Sequence, residues 1–367
     1  METVRKSTLI FFCLVFFLYA ENLTGQVHKI DSLVDASSQI DQFSGSILIA
    51  KNGIVIYEKI AGLADNENMI PNTEKTSFSI ASVGKVFTAT LIMKFVESGR
   101  LKLDEPVSTY LPGISIPNMN KITIHHLLSH TSGLGNYMGH ADYPNMLNKQ
   151  LQIDDVIPLI SEQPLLFDEP GLRHEYSNSG FIVLGKILEN VVGKKYEEIL
   201  GEMILKPLSM TSTKFSVDRK NEKDIAIGYR KSSPRGEWES TINFFPVPLS
   251  DGGIFTTSKD LLKFDQDLFS GKILQKETLE KMIQIHSEGE QPGFGKIAYG
   301  YGLMLGNFKN QVKSAGHNGG SSGYNAEYRH YLMDVDTSYT IIILSNHERV
   351  IRPLFFTIRD MILEHKL

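Results

Sequence analysis

Phe78-Ser79-Ile80-Ala81-Ser82-Val83-Gly84-Lys85-Val86-Phe87-Thr88-Ala89 is the stretch on which the reading of this chain turns. From Ser82 onward, VGKVFTATLIMKFVESGR places apolar residues at helical spacing and reaches a stop at Gly99. Three residues apart on a helix, Ser82 and Lys85 share a face, with Cβ atoms about 5–6 Å apart. A serine hydroxyl is a poor nucleophile until a base takes its proton. A lysine removed from water gives up its own proton more readily and can be that base. The helix N-terminus adds partial positive charge beside the reacting oxygen. Ser82 begins the one Ser-x-x-Lys of the chain; without further support, the pair reads equally as a helix cap and a solvated lysine.

Working outward, Gly45–Lys51 and Ile54–Ile60 are β-branched runs joined by Asn52-Gly53, which predicts a hairpin. From about 104 to 250 the pattern is helices and long loops; Ser179–Val192, with a stop at Gly193, is the clearest helix. A further helix is predicted at Lys259–Phe269, after Asp251-Gly252-Gly253. Beyond Gly300 the texture changes: Tyr301–Leu305, Gln311–Ala315, Tyr324–Met333 and Tyr339–Ser345 read as short strands, and Val350–Leu363 as a last helix. The class is α/β in the α+β sense. The expected organisation is an α/β lobe from about 28–75 and 251–367, a mostly helical lobe over about 76–250, and a ligand cleft between them.

The length of 367 residues suits two such lobes. With 41% hydrophobic and 22% charged residues the composition is globular, and neither disorder nor low complexity fits it. Lys and Arg total 37 against 42 Asp and Glu, a net charge of -5, so there is no basic surplus to neutralise nucleic-acid phosphates. Arg5 and Lys6 precede an apolar run from Leu9 to Ala20, too short to span a bilayer but suited to a secretory leader over residues 1–25. The expectation is an exported protein, periplasmic or secreted, with no stable membrane span once the leader is removed. Cys13, the one cysteine, lies in that leader, so residues 26–367 offer no disulfide and no thiolate metal site.

Two more motifs carry chemistry. Tyr176-Ser177-Asn178 precedes the predicted helix at Ser179: a tyrosine can relay a proton to a leaving group, and an amide can hold a substrate carbonyl. The bland alternative is a helix cap with Tyr176 as a packed lid. His317-Asn318-Gly319-Gly320 follows the predicted strand Gln311–Ala315. Glycines there let a substrate backbone lie along a strand edge, and the Gly320 N–H can pair with that of Ser82 as an oxyanion hole. His317 can steady the active-site hydroxyls or share a proton; the bland alternative is a glycine-rich turn.

Taken in order, Ser-x-x-Lys, Tyr-x-Asn and His-x-Gly make the chain resemble the serine β-lactamase and penicillin-binding-protein superfamily, and within it class C β-lactamases, D,D-carboxypeptidases and related esterases. The segments LLSHTSGL (Leu127–Leu134), YSNSGFIVLGKILENVVG, LKPLSMTST, DGGIFTTSKDLLKF and GHNGGSSGY share the likeness, across roughly residues 44 to 345. The resemblance implies the β-lactamase/transpeptidase-like fold, an antiparallel sheet flanked by helices beside the helical lobe. It implies a cofactor-free, metal-free acyl transfer to Ser82 followed by hydrolysis. In it Lys85 is the base, shared with Tyr176, which protonates the leaving group. Asn178 binds the substrate, and Asn318, Gly319 and Gly320 lie against it. His317 takes the place of a cation, and the Ser82 and Gly320 N–H groups hold the oxyanion. The substrate would be a small molecule or peptide: a D-amino-acid peptide, an ester or a β-lactam.

One departure stands out. His317 and Asn318 replace the lysine and threonine that contact a substrate carboxylate, and a neutral imidazole and an amide bind anions more weakly. Three other readings compete. Gly319-Gly320-Ser321-Ser322-Gly323 matches G-x-S-x-G, with Asp336 and His347 following in α/β-hydrolase order. His126 and His130 are four apart, as in a metal-binding helix. The same fold also serves as a sensor or binding protein that is acylated without turnover. No feature of the sequence sets an oligomeric state.

Overall fold

Tyr339-Thr340-Ile341-Ile342-Ile343-Leu344 is buried on both faces, as a strand at the centre of a sheet must be. The computed structural model of the protein describes residues 28–39, 43–147, 150–215, 217, 222–233, 236–242, 249–291, 295–308, 313–334 and 336–364. The leader expected over 1–25, with Cys13, lies outside them.

Eight antiparallel strands form the main sheet: β1 (Gly45–Lys51), β2 (Ile54–Ala61), β3 (Ser287–Gln291), β4 (Gly295–Tyr299), β5 (Met304–Asn307), β6 (Lys313–Ser321), β7 (Tyr324–Leu332) and β8 (Ser338–Ser345). Their order is β2-β1-β8-β7-β6-β5-β4-β3, so the first hairpin of the chain closes onto its last strand, with Gly45 opposite Ser345 and Lys51 opposite Tyr339. Alternation along the strands sorts side chains to two layers. Ile47, Ile49, Ile341 and Ile343 meet Ile30 and Val34 of helix α1 (28–39), together with Leu354, Phe355 and Ile358 of a C-terminal helix. Leu48, Ile342 and Leu344 face the larger core on the opposite side.

That larger core is built on α2 (Gly84–Glu97), in which Gly84 through Met93 are all buried. A helix apolar all round belongs inside. Phe87 stacks on Phe264 of the helix Ser258–Phe269, the two ring centres 4.0 Å apart. The helix α3 (Asn178–Val192) begins at Ser177, whose hydroxyl accepts from the Gly180 N–H, and ends at Gly193 with φ 77°, the left-handed stop read from the sequence. No described helix is long and apolar enough to cross a membrane.

Several expectations shift. The strand predicted at Gln311–Ala315 runs instead as β6 from Lys313 to Ser321, so His317-Asn318-Gly319-Gly320 is strand and not a turn after one. The strand expected at Tyr301–Leu305 falls at Met304–Asn307. The hairpin β3–β4 was not expected, and a second hairpin, Tyr229–Lys231 with Trp238–Ser240, lies in the region read as helical. The last helix spans Arg352–Leu363, two residues later than predicted, with Pro353 in its first turn.

Glycine at 319 is a steric demand. β5 pairs with β6 only as far as Gly316, opposite Met304, leaving 317–321 without a strand neighbour on that side. The Ile80 carbonyl lies against the face of this strand: a Cβ added at Gly319 would lie 2.0 Å from that oxygen. This contact presses the third motif against the turn bearing Ser82. Gly319→Ala is therefore expected to cost about 1–3 kcal/mol of stability in urea denaturation; an unchanged midpoint would contradict this packing.

Candidate active site

Ser82 sits in a single turn of 3-10 helix, Ala81–Val83, that leads into α2 at Gly84. Ala81 holds φ 44°, a left-handed conformation that costs a non-glycine residue energy. Strain next to Ser82 is maintained by its surroundings: Gly252 lets one backbone approach Ala81, and Gly319 lets another approach Ile80.

Lys85 is fully buried, and its Nζ reaches three oxygens: Ser82 Oγ at 3.3 Å, Asn178 Oδ1 at 2.8 Å and the Asp251 main-chain carbonyl at 2.6 Å. The Tyr176 and Phe181 rings lie 5.2 and 5.5 Å from the same nitrogen. An amine with three acceptors is satisfied when protonated. Deprotonated, it keeps two N–H bonds to Asn178 and Asp251, the two shorter contacts, and its lone pair then faces the Ser82 hydroxyl. The two fixed acceptors orient the base.

Asn178 commits its side-chain carbonyl to Lys85, so only its NH2 is left for a ligand; that NH2 donates to the Met138 thioether, 3.4 Å away. Tyr176 follows from the loop 175–178, which His130 holds. The Glu175 N–H donates to the His130 carbonyl at 2.8 Å and the Ser177 N–H to His130 Nδ1 at 3.2 Å. His130 lies against the Tyr176 ring, 4.3 Å between centres, and itself has φ 56°.

His317 is buried and fixed at both nitrogens. Its Nδ1 lies 2.5 Å from the Asn318 carbonyl, which can only accept, so Nδ1 carries the hydrogen; Nε2 then accepts from the Tyr299 hydroxyl at 2.8 Å. Burial, with the Lys85 charge nearby, pushes the imidazole down to about 3. His317 is neutral and bonds Tyr299, not the hydroxyls of Ser82 or Tyr176. It occupies the position of the expected cation without its charge. Asn318 is half-buried, with its Oδ1 unpartnered.

Ser82, Asn178, Asp251 and Gly320 line one cleft of about 260 Å³, walled by Tyr137, Met138 and Tyr143. The unpartnered hydroxyls of Ser79, Ser321 and Ser322 also line it.

The competing constellations do not assemble as their chemistry needs. Ser321 ends β6 and is followed by a tight turn into β7, whereas a nucleophile elbow needs a helix there. His126 caps its own helix, its Nδ1 3.1 Å from the Thr123 nitrogen, while His130 turns to Tyr176; among the described residues no three His, Cys, Asp or Glu are grouped to hold a metal. Sequence reasoning singled out Ser82, Lys85, Tyr176 and Asn178 but missed the roles of His130, Tyr299 and Asp251. LLSHTSGL and DGGIFTTSKDLLKF held the first and third of these without saying what they touch.

The family description Beta-lactamase matches residues 30–359. The chain belongs to the beta-lactamase family. It is 33% identical over 301 residues to the PbpX protein of Bacillus subtilis (strain 168), named as a penicillin-binding protein, covering 80% of this chain and 71% of that one. The octameric penicillin-binding protein homologue of Pyrococcus abyssi superposes with a TM-score of 0.79 at 29% identity, over 92% of this chain and 77% of that one. The D-amino acid amidase of Ochrobactrum anthropi SV3 gives 0.74 at 25% identity, over 88% and 91%. These likenesses agree with the antiparallel sheet and flanking helices of the β-lactamase/transpeptidase fold.

A buried neutral histidine makes stability depend on pH. The His317 pKa in the fold, about 3, is below the unfolded value of about 6.5. The unfolded chain thus binds the proton first, and stability is complete above pH 6.5 and falls as pH drops from there toward 3. Burial lowers His130 in the same direction. Ring-proton NMR of His317 is expected to show no titration between pH 5 and 8; an inflection near 6.5 would contradict its buried, doubly bonded state.

Proposed function

We propose that the protein is a serine hydrolase that works through an acyl-enzyme on Ser82, taking an ester or amide without a carboxylate in preference to a substrate anchored by one. The observation that carries this reading is the 3.3 Å contact between Ser82 Oγ and a fully buried Lys85 whose other two partners are fixed. As Oγ bonds the carbonyl carbon, its proton passes to Lys85. The carbonyl oxygen becomes an oxyanion facing the Ser82 and Gly320 N–H groups. The C–O or C–N bond then breaks, and the leaving group takes the proton from Lys85 through Tyr176. Water attacks the ester on Ser82 by the reverse sequence and frees the acid.

Two features support the preference. His317 is neutral where a carboxylate-binding cation would stand, and no Lys or Arg lines the cleft among the described residues. The amidase of Ochrobactrum anthropi, named for amide substrates, shares the fold at 25% identity. Export through the expected leader belongs to the same proposal, and the N-terminal residue of the mature protein tests it.

Exposure to p-nitrophenyl acetate is expected to add one acetyl group to Ser82, detected by intact mass, with continued release of nitrophenol; Ser82→Ala abolishes both. Turnover persisting in that variant would remove the mechanism, while stoichiometric labelling without turnover would make the protein an acylated sensor. A carboxylate-bearing penicillin is expected to acylate Ser82 at least tenfold more slowly than the neutral ester, and the reverse order would overturn the preference.

A further inference from the structure

Among the described residues lining the cleft, one carries a formal charge, and it is an acid. Asp251 is 5% exposed, and its Oδ2 accepts the Tyr137 hydroxyl at 3.0 Å. Tyr143 packs edge-on against Tyr137, ring centres 5.2 Å apart, and both rings line the same wall. The mechanism above uses only the main-chain carbonyl of Asp251, which any residue at that position would supply to Lys85. The side-chain carboxyl is left without a task. Burial raises its pKa, and the nearby Lys85 charge and the Tyr137 hydrogen bond oppose that rise.

A carboxylate beside two phenol rings favours a cation. An ammonium gains a charge-assisted hydrogen bond from the first and the attraction of the ring faces from the second. A carboxylate brought there meets like charge, and Lys85, the nearby cation, already has its three oxygen partners. Position narrows the ligand further. The Asp251 main-chain carbonyl and the Ser82 hydroxyl are both held by one lysine nitrogen, at 2.6 and 3.3 Å, so residue 251 lies next to the nucleophile and lines the same cleft.

We infer that Asp251 is a specificity-determining residue that selects acyl substrates with a free amino group next to the scissile carbonyl, that is, aminoacyl esters or amides. This rests on the serine-hydrolase reading and names its substrate class.

The test compares alanine p-nitroanilide with N-acetylalanine p-nitroanilide, each as both stereoisomers, on wild type, Asp251→Asn and Asp251→Glu. Wild type is expected to favour the free amine at least tenfold in kcat/KM. In Asp251→Asn that ratio falls at least tenfold, mainly through KM, and Asp251→Glu restores part of it. An equal loss on both members of the pair would make Asp251 a support for Lys85 only, and a wild type that favours the acetylated member would overturn the inference outright. Should Asp251→Asn fail to fold, wild type alone decides: alanine amide should inhibit p-nitrophenyl acetate hydrolysis at least tenfold more tightly than N-acetylalanine amide, and equal inhibition overturns the inference. Failure of p-nitrophenyl acetate to acylate Ser82 strikes instead at the underlying hydrolase reading.

Discussion

One buried nitrogen gathers the site. Lys85 Nζ joins residues that lie 93 and 166 positions away in the chain, Asn178 and Asp251, to the turn that carries Ser82. Taking an ammonium out of water costs several kcal/mol, while hydrogen bonds to charged groups return about 1.5–3 kcal/mol each. Three such bonds offset a cost of that size, so the buried lysine is best satisfied when all three segments have come together. On the proposed reading, the same nitrogen once deprotonated keeps Asn178 and Asp251 as its acceptors and turns its lone pair to the Ser82 hydroxyl.

The surroundings follow from keeping that cluster dry and tight. The first and last helices cover one face of the sheet, and the buried α2 carries Lys85 into the core on the other. Close backbone contact at Gly319 brings the third motif to the nucleophile turn. There the sequence substitutes a histidine that burial keeps neutral, with Tyr299 and its own neighbour's carbonyl filling both ring nitrogens. On the reading proposed above, that position offers no charge to a substrate carboxylate, and among the described residues lining the cleft the one side chain with a formal charge is the acid Asp251.

Where one element's pattern is self-sufficient, the sequence reveals it. Asn52-Gly53 marks the hairpin β1–β2, Gly193 ends α3, and the helix at 258–269 is read to within one residue. Where structure depends on a distant partner, it does not. The glycines of GHNGGS left a strand edge and a turn both open, and pairing with β7 makes them strand. Ser-Glu-Gly-Glu-Gln has no apolar alternation and becomes β3 only as an edge paired to β4. Ser82, Lys85, Tyr176 and Asn178 are legible as candidates because their side-chain types suit acyl transfer. Asp251 reaches Lys85 through a main-chain carbonyl, a contact its side-chain type does not specify; His130 grips a backbone loop distant in the chain, which its ring nitrogen alone does not reveal. The charge of His317 depends on burial, which only the fold supplies.

The account stands on Lys85 as the base of Ser82, and the rate of Ser82 acylation in a folded Lys85→Met chain tests that most directly. Methionine matches the length of the stem and packs in the same apolar surroundings without a base. With p-nitrophenyl acetate, followed by rapid quench and intact mass, the account predicts acylation at least a hundredfold slower than wild type, in the range that general-base catalysis supplies. Acylation at the wild-type rate would contradict it.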